Sequence, residues 1–342
     1  MLGAIMESGV WGGLAPGPEP LFLLLAALFI DAALGLMPKR GRSMARIDRL
    51  VLAVVGWFEP RLNRTQRSGM TRAIRGLILT LFLVVASLLV AVGIAWVGNV
   101  LPYGWVLVLC LLLLVLAQSQ PLAAAGALLR YLPDSVGRFP ADREWPLLSA
   151  HPAPPALTRD AHAAARGAVE HIAGRFAEGV VGPVFWFVLL GLPGLLIYRI
   201  VATAGRAFAH TDARYAYFGF VPARVNEAIG FLPLRLAAAL LVVAAVFAPR
   251  ARPLRALQIL MTQAPGHPVR GLAWPIAAMA GAFGFSLAGP RGEGGGAAWL
   301  GPAEGRARLG APDVQQARYL AVVACLLNGL LLTLAALARL TL

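Results

Sequence analysis

The 21 residues from Leu77 to Val97 carry no charged side chain, and that run most limits what the chain can fold into. About 20 predominantly apolar residues are enough to carry a helix across the hydrocarbon core of a bilayer. Comparable runs lie at 21–37, 103–117, 180–201, 231–247 and 319–340. In hydrocarbon every backbone N–H and C=O has to be satisfied within the protein, so such runs become helices unless strands close into a barrel. The expected fold is an all-α, polytopic integral membrane protein with about six membrane helices. Leu272–Ala288 is weaker and rich in small residues, which suits a buried or re-entrant helix.

Composition agrees. The chain is 59% hydrophobic and 13% charged, against about a quarter charged for soluble domains. The formal charge is +14, and the basic residues cluster beside apolar runs. Lipid and the positive-inside rule account for that pattern more simply than nucleic acid does. Cys110 and Cys325 sit inside leucine-rich runs and are expected to be packing residues. The first twenty residues lack a basic region ahead of an apolar core, so no cleavable signal is expected.

Ten basic residues fall between 38 and 76, against only Asp48 and Glu59. This segment is therefore expected in the cytoplasm. Residues 1–342 read as one membrane domain. Two long loops are expected: 118–179, ending in a helix that begins near Thr158, and 249–318, holding the re-entrant candidate. If all six runs cross, both loops are cytoplasmic and the C-terminus is outside. The Gly191-Leu-Pro-Gly194 interruption makes a break or re-entrant turn the alternative.

Phosphate-loop, nucleophile-elbow and paired-histidine zinc motifs are absent from the sequence. The glycines at 292–296 lack the lysine and helix of a phosphate cradle. Asp31 falls inside the first apolar run, where a charge costs roughly 2.5–3.5 kcal/mol, so it either faces a polar interior or lies at the surface. Glu170 and Glu178 are eight residues apart, about two helical turns. They suit a metal, a base, or a solvated helix face. His267 opens a polar stretch beside an apolar one, as does His210, whereas His162 and His171 lack partners at metal spacing.

Several stretches, taken in order, resemble the CobD/CbiB family of cobalamin-biosynthesis membrane proteins, the adenosylcobinamide-phosphate synthases. Glu170, Ala173, Gly179-Val-Val181, Pro183 and Phe185-Trp186 are similar to its E-x-x-A-E-N-x-x-D-G-V-V-A-P-x-F-W. Gly191-Leu-Pro-Gly194 with Tyr198-Arg199, then Arg214-Tyr215 and Phe218-Gly219, resemble later motifs. So do Arg224, Arg235, His267, Trp274-Pro275, Ala277 to Gly281 and Gly289-Pro290. Asp31 and Gly35 match its first segment. Polar positions differ: Gly174-Arg175 stand for E-N, Glu178 for Asp, Ala202 and Gly205 for Asn and Asp, Asn226-Glu227 for D-D, and Ile276 for Glu.

The resemblance implies a carbon–nitrogen ligase that joins an aminopropanol phosphate to a propionate carboxylate of adenosylcobyric acid. It implies ATP and a divalent metal such as magnesium. Glu170, Glu178 and His267 are then the catalytic candidates, with both glutamates as metal candidates. Asp31, Arg199, Arg214, Tyr215, Arg224 and Arg235 are the substrate-binding candidates. The implied partners are a corrinoid, a phosphorylated amino alcohol, the lipid bilayer and other enzymes of the pathway, with no nucleic acid. The implied location is the cell (inner) membrane. The changed polar positions leave open a second reading, a non-catalytic relative that binds a corrinoid or partner proteins.

Overall fold

Each of the six apolar runs contains a helix in the computed structural model, which describes residues 20–35, 45–64, 66–116, 119–129, 145–146, 157–158, 160–208, 215–289 and 298–341. In chain order the helices are α1 Pro20–Gly35, α2 Ala45–Leu62, α3 Gly69–Val100, α4 Gly104–Val115, α5 Ser119–Leu129, α6 Ala161–Phe176, α7 Gly182–Phe208, α8 Phe220–Ala244, α9 Pro253–Gln263, α10 Ala273–Phe283 and α11 Ala311–Thr341. A π-helical turn, Ala177–Val181, joins α6 to α7. Two short strands, β1 Trp145–Pro146 and β2 Leu157–Thr158, pair antiparallel. The protein is an all-α polytopic membrane protein. Among the described residues, four helical stretches are long and apolar enough to cross a bilayer: Gly69–Gly98, Ala161–Phe208, Phe220–Ala244 and Ala311–Arg339. The other two expected crossings are shorter apolar helices, Pro20–Ala33 and Gly104–Val115. Twelve residues, the length of α4, rise only about 18 Å.

The chain divides into two compact units. The first holds residues 1–117, 182–229 and 329–342; the second holds 118–181 and 230–328.

In the first unit, α2 and α3 form an antiparallel pair. Asn63, at the turn, accepts a hydrogen bond from Arg72 Nε at 2.9 Å, and farther along Phe58 meets Phe82 at 5.4 Å between centroids. Val51 and Val55 of α2 pack with Leu79 and Leu83 of α3, and with Ala204, Phe208 and Phe218. The 215–219 turn lies against the start of α3. A Cβ on Gly76 would collide with the Phe218 carbonyl, and one on Gly69 with the Tyr217 ring. Bare backbone is what permits this approach.

The helix α7 is not one rod. Gly191 has φ 66° and ψ −150°, a combination open essentially only to glycine, and Pro193 follows it. A Cβ on Gly182 would collide with the Tyr198 ring, and one on Gly194 would stand 2.5 Å from the Trp186 carbonyl oxygen. In a straight helix Gly182 and Tyr198 would be about 24 Å apart. Both contacts require the chain to turn back at Gly191, so 182–190 and 192–208 are the arms of a helical hairpin. The return arm ends beside the 215–219 turn and the start of α3, through Phe208 and Phe218 at 5.0 Å between centroids. The break offered as the alternative is the one the structure adopts: the 215–219 turn lies at the arginine-rich start of α3.

In the second unit, α6 is buried on almost every side. Its Ala and Gly content leaves room for close neighbours. The helix starts two residues later than the sequence suggests: the cap is Asp160, whose carboxylate accepts from His162 N (2.9 Å) and Ala163 N (3.1 Å). Thr158 instead lies in β2. Such a cap contributes about 1 kcal/mol. His162 Nδ1 lies 2.8 Å from Leu309 O, and Arg166 donates to Ala307 O at 2.7 Å. The helices α9 and α10 pack backbone to backbone, a Cβ on Gly281 falling 2.7 Å from Ala256 Cα. Helix α10, which forms the first part of the weak apolar run, is buried over nearly its whole length. The glycines 292–296, Arg159 and His210 lie outside the described residues. Cys110 is exposed rather than packed, and Cys325 is half-buried.

Candidate functional site

Both glutamates are buried, so neither lies on a solvated helix face. Glu170 is 3% exposed and Glu178 4%. In the second unit, Glu170 Oε1 accepts the backbone N–H of Ala288 at 2.8 Å, across 118 residues of sequence. Ala288 has φ 55°, a left-handed conformation that costs an alanine roughly 1–2 kcal/mol. The carboxylate therefore holds a strained backbone in place. Glu178 sits in the π-turn, a departure from regular helix that recurs at functional sites.

His267 is tied on both sides. Val269 N–H donates to Nδ1 at 3.2 Å, which leaves Nε2 as the protonated nitrogen, 2.7 Å from Ala298 O. Its ring braces a turn and offers no ring nitrogen to a substrate in this arrangement. Arg235 lies between two aromatic rings, its Cζ 3.5 Å from the Phe231 centroid and 4.3 Å from that of Trp274. Nη1 donates to Phe231 O at 2.8 Å. Stacking of this kind fixes the plane of the guanidinium fork and leaves its edge for planar oxyanions.

The first unit holds a separate constellation. Arg199 is 1% exposed, and its Nη2 reaches both carboxylate oxygens of Asp48, at 2.9 and 3.0 Å. Thr203 donates its hydroxyl to Asp48 Oδ1 at 3.1 Å and also lies 2.9 Å from Arg199 O. Arg206 Nη2 adds a 3.2 Å contact to the Thr203 oxygen. Asp31 is fully buried in α1, so it is not a solvated surface group. Tyr215 packs on Phe208 at 6.4 Å between centroids. Arg224 is half exposed and pairs with Glu227 three residues on, at 2.8 Å, an ordinary solvated pair of small energetic weight. Arg214 lies outside the described residues.

Among the described residues no three His, Cys, Asp or Glu side chains gather as a metal site. Eight residues of helix separate Glu170 from Glu178 by about 12 Å, too far for both to grip one ion directly. A magnesium ion, which commonly takes one or two carboxylates beside phosphate oxygens, would have at most one of these glutamates as a direct ligand.

The family described as "CobD/Cbib protein" matches residues 24–321. The chain belongs to the CobD/CbiB family. A Sinorhizobium sp. protein named "Cobalamin biosynthesis protein CobD" is 32% identical over 81% of this chain and 85% of its own. One of the same name from Rhizobium meliloti (strain 1021) is 39% identical over 40% of this chain and 42% of its own. That from Brucella suis biovar 1 (strain 1330) is 29% identical over 79% and 82%. No solved structure gives a significant match.

Membership in the CobD/CbiB family gives the contacts a shared logic. Glu170 belongs to one family stretch, and Ala288 immediately precedes Gly289-Pro290 of another. Arg235 and Trp274 join two more. Asp48, Thr203 and Ala288 were not legible as site residues. Asp48 is one of two acids in a basic segment, Thr203 has no pattern around it, and Ala288 acts through its backbone.

Proposed function

We propose that this CobD/CbiB chain is an adenosylcobinamide-phosphate synthase of cobalamin biosynthesis, working in the inner membrane. It joins the amine of an aminopropanol phosphate to a propionate carboxylate of adenosylcobyric acid at the expense of ATP. The observation that carries this reading is the Glu170–Ala288 hydrogen bond, which binds two family stretches around a buried carboxylate.

A carboxylate does not react with an amine until one of its oxygens becomes a leaving group. The propionate oxygen takes the terminal phosphoryl group of ATP, giving an acyl phosphate and ADP. The amine then attacks the carbonyl carbon; the C–N bond forms, the C–O bond to phosphate breaks, and the nitrogen loses a proton. We place Glu178 as the acceptor of that proton. Glu170 orients the 285–289 backbone. Arg235 is the described arginine best presented to a phosphate, because its plane is already fixed. A bound divalent ion such as magnesium would neutralise charge on the nucleotide, with Glu170 or Glu178 and phosphate oxygens as ligands. The Arg199–Asp48 pair fastens the α7 hairpin to α2 within the first unit.

The test is complementation of a strain lacking the synthase, supplied with cobyric acid. Restored growth supports the ligase. Failure with normal levels in the membrane favours the non-catalytic relative.

A further inference from the structure

Arg318 stands apart from every other buried or half-buried arginine among the described residues. Each of the others meets a partner: for Arg72 it is Asn63, for Arg166 the Ala307 carbonyl, for Arg199 the Asp48 carboxylate. Arg318 is half-buried. Its Nε is shut off from solvent and has no hydrogen-bond partner. It lies in the first third of α11, in a stretch apolar enough to cross the bilayer, about 10 Å along the helix from Ala311. Asp313, the nearby acid, is engaged by Arg306 and by the Gly310 N–H, at 2.8 and 2.9 Å.

The position of the guanidinium is defined. A Cβ built on Gly126 of α5 would stand 3.7 Å from Cζ, Nη1 and Nη2 alike. Three equal distances lay the guanidinium face-on over Gly126, with its N–H donors pointing outward along its edge. A permanently charged guanidinium on an apolar helix, with one nitrogen closed to solvent, costs several kcal/mol unless an acceptor meets it. Among the described residues Nε meets no acceptor, and a guanidinium fork matches a phosphate.

We propose that Arg318, laid on Gly126, is a binding site for a phosphate oxyanion. The oxyanion comes either from a soluble phosphate compound or from the headgroup of an anionic lipid. The proposal rests on Arg318 and Gly126 alone and stands whether or not the ligase reading does.

The experiment uses the full chain purified in lipid-free detergent, with inorganic phosphate as the first probe and phosphatidylglycerol added to the micelles as the second. Thermal unfolding is followed for the wild type, Arg318→Gln, Arg318→Lys and Gly126→Leu. An upward shift with phosphate in the wild type that is lost in Arg318→Gln, weakened in Gly126→Leu and partly kept in Arg318→Lys supports a site for soluble phosphate compounds. The same pattern with phosphatidylglycerol, and none with inorganic phosphate, supports a lipid headgroup. Equal shifts in the wild type and Arg318→Gln with both probes, or no shift with either, overturn the site. Arg318→Lys keeps the charge and guards against a variant that simply fails to fold.

Discussion

Arg199 and Asp48 are 151 residues apart in sequence, and the Arg199 Nη2–Asp48 Oδ2 distance is 3.0 Å. Their ion pair joins the return arm of the α7 hairpin to α2, a helix whose outer face carries exposed Leu50, Val54 and Trp57. Truncating Asp48 to Ala leaves a buried guanidinium without its carboxylate, a change that costs about 3 kcal/mol in comparable pairs. Asp48→Ala should lower the thermal midpoint in detergent markedly, and Asp48→Asn less. Equal midpoints for Asp48→Ala and the wild type would show that the pair carries no stability.

Glu170 holds a strained amide, so charge and shape can be separated. Glu170→Gln keeps an oxygen for the Ala288 N–H and should leave membrane levels normal while abolishing complementation. Glu170→Ala loses the acceptor as well, at about 1–3 kcal/mol, and should also reduce levels. His171, about 100° around the helix, should tolerate Ala. A damaging His171→Ala beside an active Glu170→Gln would reverse the assignment of this helix face.

Gly191 is the turn of the hairpin. With φ 66° and ψ −150°, a side chain there is strained by about 1–3 kcal/mol. Gly191→Ala should reduce the amount of folded protein in the membrane, whereas Leu190→Ala, next to it but exposed, should not. Matching levels for both variants would place the turn elsewhere.

The hairpin also has a topological consequence. Epitope tags near Ser68 and near Ala216 should be accessible from the same side, the cytoplasm by the positive-inside rule. Labelling of the two from opposite faces in intact cells would mean that the fourth apolar run crosses once.

The amino-acid sequence by itself determined the class of fold, because an uncharged run such as Leu77–Val97 has only one common way to satisfy its backbone in lipid. It also determined the family, because glycines, prolines and aromatics such as Gly191, Pro193 and Trp186 keep their order, and it marked Glu170, which the structure buries. Only the tertiary structure decided which groups meet. Periodicity along a helix says which residues share a face, but it cannot name what lies opposite. Glu170 finds an alanine amide, Arg199 finds an aspartate that the sequence counted merely as a minor charge, and His267 finds two backbone groups. The direction of the chain after Gly191 was likewise undecided, since a Gly-Leu-Pro-Gly stretch permits a kink or a full reversal. The contact of Gly182 with Tyr198 selects the reversal, because helical rise would otherwise keep them far apart.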